Sequence, residues 1–99
     1  MFGNNMMEKL QQMQQQAEET KEKLENLKVE GEAGGNLVLV EMNGNRKLTN
    51  LQINTDLKEM DKEDLEDLLT VAMNRALEKA NKLNESEMAN SAKGLFPGM

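Results

Sequence analysis

Two long stretches of the chain repeat their apolar residues at helical spacing, and a shorter stretch between them alternates apolar and polar positions. In the first stretch, residues 2 to 27, the apolar positions are three, four or seven residues apart: Met6, Leu10, Met13, Ala17, Leu24 and Leu27. This heptad seam, interrupted at Thr20, predicts a helix that packs either on its own subunit or on a partner's helix. At 1.5 Å per residue the helix would be close to 40 Å long, so we expect part of it to project from a domain this small.

The middle stretch, residues 27 to 54, has the pattern of three short strands. Its apolar residues alternate with polar ones or form short runs, and two glycine-containing segments, Gly34-Gly35 and Asn43-Gly44, separate them. Such segments are typical of hairpin turns, and we therefore predict a three-stranded antiparallel meander. A phosphate-binding loop is a poorer interpretation, because these glycines precede a strand and no Gly-Lys-Ser/Thr ending follows them.

The third stretch, residues 61 to 90, predicts a second long helix. Its apolar residues recur at helical spacing for about six turns: Leu65, Leu68, Leu69, Ala72, Met73, Ala76, Ala80 and Leu83. Residues 91 to 99 contain Gly94 and Pro97 and are predicted to form a flexible tail. The expected fold is a single α+β domain, residues 1 to 99, with the order α-β-β-β-α.

Composition narrows the chemistry that such a domain can perform. The 99 residues include no Cys and no His, which removes thiolate and imidazole chemistry and the usual zinc ligands. Acidic residues are dense between Asp56 and Asp67, but their spacing matches no calcium loop, and carboxylates at a helix start complement its dipole. We therefore expect neither an enzyme nor a cofactor, metal or small-molecule substrate.

Two sequence features bear on location and partners. No apolar run approaches the roughly 20 residues that span a bilayer, and the N-terminus lacks a signal-peptide pattern, so we expect a cytoplasmic protein with no membrane partner. The net charge of -6 weakens the case for a nucleic-acid partner without excluding one. At physiological salt the Debye length is about 8 Å, so local basic patches decide such binding.

The lysines of the first helix follow its heptad. Lys9, Lys21, Lys23 and Lys28 occupy e or g positions beside the seam, whereas the carboxylates occupy b, c or f positions. Two parallel copies would place Lys23 against Lys28, which is repulsive. This basic rim must therefore meet carboxylates elsewhere, such as those of the second helix, or an outside anion such as a phosphate backbone.

The chain as a whole resembles the YbaB/EbfC family of nucleoid-associated DNA-binding proteins. The resemblance rests on the order and spacing of several segments: Met1-Phe2-Gly3, Gly31-Glu32-Ala33-Gly34-Gly35, Met42-Asn43-Gly44, Asp56, Leu65-Glu66-Asp67-Leu68, Ala72, Asn74, Ala76 and Pro97-Gly98-Met99. It implies an α-β-β-β-α subunit in an intertwined homodimer, with helical arms that project like tweezers and bind duplex DNA. It also implies a bacterial protein that influences gene expression and DNA organisation without catalysis.

The family offers no short DNA-contact motif, so the expected DNA-binding residues come from the charge pattern: Lys9, Lys21, Lys23, Lys28, Arg46 and Lys47. If these serve only as ion-pair partners, the basic end of the second helix around Arg75 and Lys79 is the next candidate. A prefoldin-like coiled-coil chaperone or scaffold is the main alternative function, because it too has β-hairpins between two helices. Three strands and a first helix of under four heptads favour the DNA-binding interpretation.

Overall fold

A computed structural model describes the backbone of residues 2–95 and the side-chain surroundings of residues 5–93. Helix α1 covers Phe2–Asn26, and strands β1, β2 and β3 cover Lys28–Ala33, Val38–Asn43 and Leu48–Ile53. A 3-10 turn at Leu57–Glu59 precedes helix α2, Lys62–Leu95. The predicted order α-β-β-β-α and the α+β fold class are therefore confirmed.

The three strands form an antiparallel sheet in the order β1-β2-β3, as a meander requires. Gly34 and Gly35, with φ of +66° and +63°, occupy the β1–β2 turn in the left-handed region that glycine adopts without steric cost. Between β2 and β3 the register shifts at Glu41 and Met42, so that one extra β3 residue, Thr49, has no opposite partner. Despite this bulge, Leu48, Leu51 and Ile53 lie opposite Met42, Val40 and Val38 and share their face of the sheet.

The core lies between α2 and strands β1 and β2. Ala72, Ala76 and Ala80, four residues apart, present one buried stripe of α2 to the buried side chains of Ala33, Val38, Val40 and Met42. Small residues on both surfaces permit a very close approach. A Cβ at Gly31 would collide with the backbone of Ala72 and Ala76, so only glycine fits at this crossing.

Helix α1 runs antiparallel to the C-terminal half of α2. Leu24 is fully buried, and Thr20 is buried with its hydroxyl donating to the Gln16 carbonyl at 2.8 Å. Toward its N-terminus α1 becomes exposed, and the molecule extends 71 Å in its longest dimension with a radius of gyration of 19.3 Å. A compact domain of this size has a radius near 13 Å. Part of α1 therefore projects as an arm.

The heptad seam is buried over only part of its length within this chain. Leu24 is buried and Leu27 half-buried, whereas the N-terminal seam residues Met6, Leu10 and Met13 and the seam residue Ala17 are exposed. The buried Thr20 takes the place of an apolar residue at the helix crossing. The seam thus packs on its own subunit near the sheet and leaves an apolar stripe on the arm.

Two element boundaries differ from those expected. Helix α1 ends at Asn26, so Lys28 opens β1 and is no heptad residue; Asn26 turns its side-chain amide back onto the Glu22 carbonyl. Helix α2 continues to Leu95, five residues beyond the expected end, because Ser91, Ala92 and Lys93 tolerate helix and one glycine costs only about 1 kcal/mol. The remaining tail, 96–99, lies outside the described residues. Within the described chain, neither helix is long and apolar enough to cross a membrane.

Candidate nucleic-acid interface

Two of the six expected DNA-binding residues lie on the exposed surface of α1. Lys9 belongs to the projecting arm, and Lys21 lies nearer the root of the helix. Helical geometry places them about 120° apart around the axis. Neither ammonium forms an ion pair with any side chain that the structure describes. Both are therefore available to an anion.

Two further candidates have acidic partners. The Lys23 ammonium lies 2.8 Å from the Glu87 carboxylate of α2, and the Lys28 ammonium lies 3.7 Å from the Glu41 carboxylate of β2. The sequence left open whether the basic rim meets carboxylates of the second helix or an outside anion, and Lys23 meets such a carboxylate. Lys28 meets a strand carboxylate instead, because it lies on β1. The lysine side chains remain 60% and 55% exposed, so neither pair is sealed from solvent.

The remaining candidates, Arg46 and Lys47, lie in the β2–β3 turn, between Asn43 and Leu48. The Lys47 ammonium lies 3.0 Å from the Glu25 carboxylate of α1. Arg46 has φ of +67°, in the left-handed region that is unfavourable for a residue with a Cβ, and its guanidinium Nε donates to the Asn81 side-chain oxygen of α2. The two cations therefore lie near the root of α1, where the turn meets both helices.

A clamp formed by Asn43, Gly44 and Asn45 holds this turn in place. The buried Asn43 carboxamide oxygen accepts from the backbone N–H groups of Asn45 and Lys47 at 2.9 and 3.1 Å. The Gly44 N–H donates to the carbonyls of Leu24 and Leu27 at the end of α1, at 2.8 and 2.9 Å. The turn thereby gives a second donor to the Leu24 carbonyl, which also accepts from the Leu27 N–H at 3.3 Å, and a donor to the Leu27 carbonyl just after the helix.

The other contacts of the clamp join the turn to the sides of both helices. The Asn45 amide donates to the Lys21 carbonyl at 2.9 Å and to the Glu25 carboxylate at 2.7 Å, while the Asn84 amide of α2 donates to the Gly44 carbonyl at 2.9 Å. Sequence reasoning identified Asn43-Gly44 only as a turn. The run of asparagines on both sides of Gly44 was the available signal for a side-chain clamp.

The pKa of Glu25, the carboxylate that contacts Asn45 and Lys47, is shifted. Hydrogen bonds from Asn45 and Lys47, together with the nearby Lys47 charge, hold the pKa of the Glu25 carboxyl below its ordinary value of 4.5. Glu25 is therefore ionised at neutral pH. Its negative charge at the root of α1 is matched by Lys47.

The second basic region, on α2, has mixed charge. Arg75, Lys79 and Lys82 line an open cleft of about 360 Å³ together with Glu32 and Glu78. The Arg75 guanidinium donates to the Glu32 carbonyl at 2.7 Å, and the Lys82 ammonium lies 3.8 Å from Glu78. Lys79 forms no ion pair among the described residues. The two carboxylates of this cleft offset most of its positive charge.

The acidic stretch before α2 contributes local contacts. The Asp56 carboxylate accepts from the Lys58 backbone N–H at 3.0 Å and caps the 3-10 turn. No group of three or more acidic side chains in the described part of the chain is arranged to hold a metal ion. The site that remains is electrostatic: exposed cations on and around a projecting helix.

The described residues define an elongated α+β protein with a projecting helical arm and with exposed cations on α1 and around the β2–β3 turn. The sequence matches the YbaB/EbfC DNA-binding family over residues 2–95, and the chain belongs to that family. It is 41% identical over 98 residues to a nucleoid-associated protein of Thermoanaerobacter pseudethanolicus, covering 97% of this chain and 88% of that protein. It is 38% identical over 91 residues to a nucleoid-associated protein of Hahella chejuensis, covering 92% and 84%.

A solved structure has the same fold. The crystal structure of the uncharacterized protein HP0035 from Helicobacter pylori superposes with a TM-score of 0.84 at 26% identity, covering 93% of this chain and 98% of that one. The family match and the two relatives confirm the family resemblance seen in the sequence.

Proposed function

We propose that this protein binds duplex DNA as a homodimer with little sequence specificity, at the nucleoid in the cytoplasm, and so influences DNA organisation and gene expression. The single observation that supports this most strongly is that two exposed lysines of α1, Lys9 on its projecting part and Lys21 near its root, form no ion pair among the described residues. Lysine binds a phosphate as a point charge and reads no base edge, so such contacts are insensitive to sequence. Family membership supports DNA as the polyanion.

The ion pairs of the other candidates are compatible with this role. Lys23, Lys28 and Lys47 keep side-chain exposures of 60%, 55% and 69%. Exposed ion pairs contribute about 0–1 kcal/mol, so exchange of a carboxylate for a DNA phosphate costs little. We therefore retain all six residues, Lys9, Lys21, Lys23, Lys28, Arg46 and Lys47, as proposed DNA contacts.

The homodimer is supported by apolar surface that one chain leaves in water. Met6, Met7 and Leu10 of the arm are each more than half exposed. Contiguous exposed apolar surface is typical of an interaction site, and two arms in a dimer would provide a pair of gripping helices.

A salt series tests the DNA-binding proposal. Lys21, Lys23 and Lys28 are replaced together by glutamine, and binding to several unrelated duplexes is measured by gel shift over a range of salt concentrations. We expect weaker binding to all duplexes, with the slope of log affinity against log salt reduced by about 0.9 for each phosphate that the variant no longer neutralises. The control replaces Lys58, Lys62 and Lys79, which removes the same charge away from the arm.

Two results would contradict the proposal. Equal reductions of affinity in both triple variants would mean that net charge, and not Lys21, Lys23 and Lys28 in particular, controls binding. No binding by the parent protein at low salt, together with suppression of aggregation of unfolded proteins, would favour the prefoldin-like chaperone.

A further inference from the structure

The clamp contains a pair of residues that is prone to spontaneous chemical change. Among the asparagines of the sequence, only Asn43 is followed by glycine. The backbone nitrogen of the residue after an asparagine can attack the side-chain amide carbon, and glycine hinders this attack least because it has no Cβ. The sequence therefore places a reactive pair in the turn that joins the sheet to both helices.

The clamp depends on both members of this pair. The buried Asn43 carboxamide oxygen accepts from the backbone N–H groups of Asn45 and Lys47, which shapes the turn. A Cβ at Gly44 would collide with the Leu24 side chain and lie 3.0 Å from the Leu24 carbonyl oxygen, so a larger residue does not fit against the end of α1. The packing of the turn thus requires the reactive pair.

The same contacts hold the reaction back. The Gly44 N–H donates to the carbonyls of Leu24 and Leu27 at 2.8 and 2.9 Å, so its proton is held by two acceptors and is not available to a base in solvent. Asn43 is 1% exposed, which excludes the water that completes the reaction. From the other side, the Asn84 amide of α2 holds the Gly44 carbonyl at 2.9 Å. Reaction therefore requires the turn to leave both helices.

We propose that Asn43-Gly44 is a deamidation site that reacts only when the clamp opens. The Gly44 nitrogen loses its proton to solvent and bonds to the side-chain carbonyl carbon of Asn43. The bond from that carbon to the amide nitrogen breaks, and ammonia leaves. One water then opens the five-membered imide at either carbonyl, which gives aspartate or isoaspartate at this position. One water is consumed and one ammonia is released, and no oxidant or reductant takes part.

The modification would alter the turn that carries two proposed DNA contacts. Either product adds a negative charge to a clamp that already contains the Glu25 carboxylate. Isoaspartate also lengthens the main chain by one carbon, which disrupts the hydrogen bonds from Asn45 and Lys47. Because Arg46 and Lys47 lie in this turn, we expect deamidated chains to bind DNA more weakly. This consequence rests on the proposed function, whereas the site itself does not.

Deamidation of the folded and the unfolded parent protein tests the protection. Both are incubated at mildly alkaline pH, and conversion of Asn43 is followed by peptide mass spectrometry, with Asn36 of the same tryptic peptide as internal reference. Opening breaks several hydrogen bonds that each shift an equilibrium by about two- to tenfold, so the reaction in urea should be roughly 100-fold faster or more. Equal rates in the folded and unfolded protein would overturn the protection. Conversion of Asn43 no faster than that of Asn36 in urea would overturn the site.

Two variants test whether the clamp controls the rate. Asn84→Ala removes the contact with α2, and Asn45→Ala removes the side-chain contacts with α1. In each folded variant we expect Asn43 to react about two- to tenfold faster than in the parent. Asn74→Ala, at an exposed residue of α2, is the matched control and should react as the parent does. The two variants weaken different helix contacts, so one can replace the other if it does not fold. Folded variants that react at the parent rate would overturn control by the clamp.

The link to DNA is measured separately. A saturating duplex that contacts Arg46 and Lys47 stabilises the closed turn, so it should slow deamidation of the parent severalfold. Deamidated and unmodified protein, separated by ion exchange, are then compared by gel shift. Equal affinity of the two forms overturns the consequence for DNA binding, and no DNA binding by the parent overturns the proposed function. In both cases the deamidation site is decided by the urea comparison and the variants.

Discussion

The Lys23 ammonium of α1 lies 2.8 Å from the Glu87 carboxylate of α2, so a proposed DNA contact already has an acidic partner within the chain. The Glu87 side chain is 17% exposed, whereas that of Lys23 is 60% exposed. The lysine can therefore turn toward a phosphate while the carboxylate stays between the helices. Glu87 competes with DNA for Lys23.

Removing this competitor should strengthen DNA binding. In Glu87→Gln, Lys23 no longer has an intramolecular carboxylate, and we expect higher affinity at low salt and a log affinity against log salt slope that is unchanged or steeper. Folding stability should fall by no more than about 1 kcal/mol, because the lysine is exposed. The control Glu78→Gln removes an exposed carboxylate paired with Lys82 and should have a smaller effect. Unchanged affinity in Glu87→Gln with a clear decrease in stability would make Lys23 a structural residue.

The close contact between Gly31 of β1 and the backbone of α2 gives a prediction about folding stability. In Gly31→Ala the new Cβ would collide with the Ala72 carbonyl oxygen and the Ala76 backbone nitrogen, which no side-chain rotation can relieve. We expect the free energy of unfolding, measured by urea denaturation, to fall by about 3 kcal/mol. The matched control is Gly35→Ala, where a Cβ meets no atom within 4 Å and only the backbone φ of +63° opposes it. That variant should be destabilised by about 1 kcal/mol. Equal destabilisation in the two variants would mean that α2 can move away from β1.

The core and the strand order followed from local sequence patterns, whereas the ion pairs did not. The four-residue spacing of Ala72, Ala76 and Ala80 and the Asn43-Gly44 turn are short-range signals, and both predicted their elements. The partner of Lys23 is distant in sequence and is set by how α1 crosses α2. Likewise, the heptad could not indicate that the helix ends at Asn26, since that end depends on the Gly44 N–H of a later turn. The asparagines beside Gly44 were a local signal for the clamp, but their partners on α1 and α2 are distant in sequence and could not be predicted.

Acid should loosen the clamp through Glu25. Its pKa is lowered in the folded chain, so its contribution to stability is fully present above the unfolded value near 4.5 and is lost as pH falls through the lower folded value. Between pH 7 and pH 3 we therefore expect the urea midpoint of Glu25→Gln to decrease less than that of the parent. Glu63→Gln, a carboxylate at the start of α2, serves as the control. Parallel pH profiles for the parent and Glu25→Gln would show that Lys47 and Asn45 do not stabilise the ionised carboxylate.

Replacing Arg46 by glycine should change folding stability and DNA affinity in different ways, because its backbone is strained. Its φ of +67° costs roughly 1 kcal/mol for a residue with a Cβ, and glycine removes that cost. In Arg46→Gly this gain offsets the missing hydrogen bond to Asn81, so we expect the free energy of unfolding to stay constant or rise by up to about 1 kcal/mol. DNA affinity should nevertheless fall, with the salt slope reduced by about 0.9 for each phosphate that Arg46 neutralises in the parent.

Arg46→Lys keeps the charge and should keep the slope. Asn36→Gly, at a φ of +72° in the other hairpin, changes the backbone without changing charge and should leave DNA binding intact. If Arg46→Gly is more stable and binds DNA as the parent does, Arg46 serves only to join the turn to α2, and the proposed contacts reduce to the lysines.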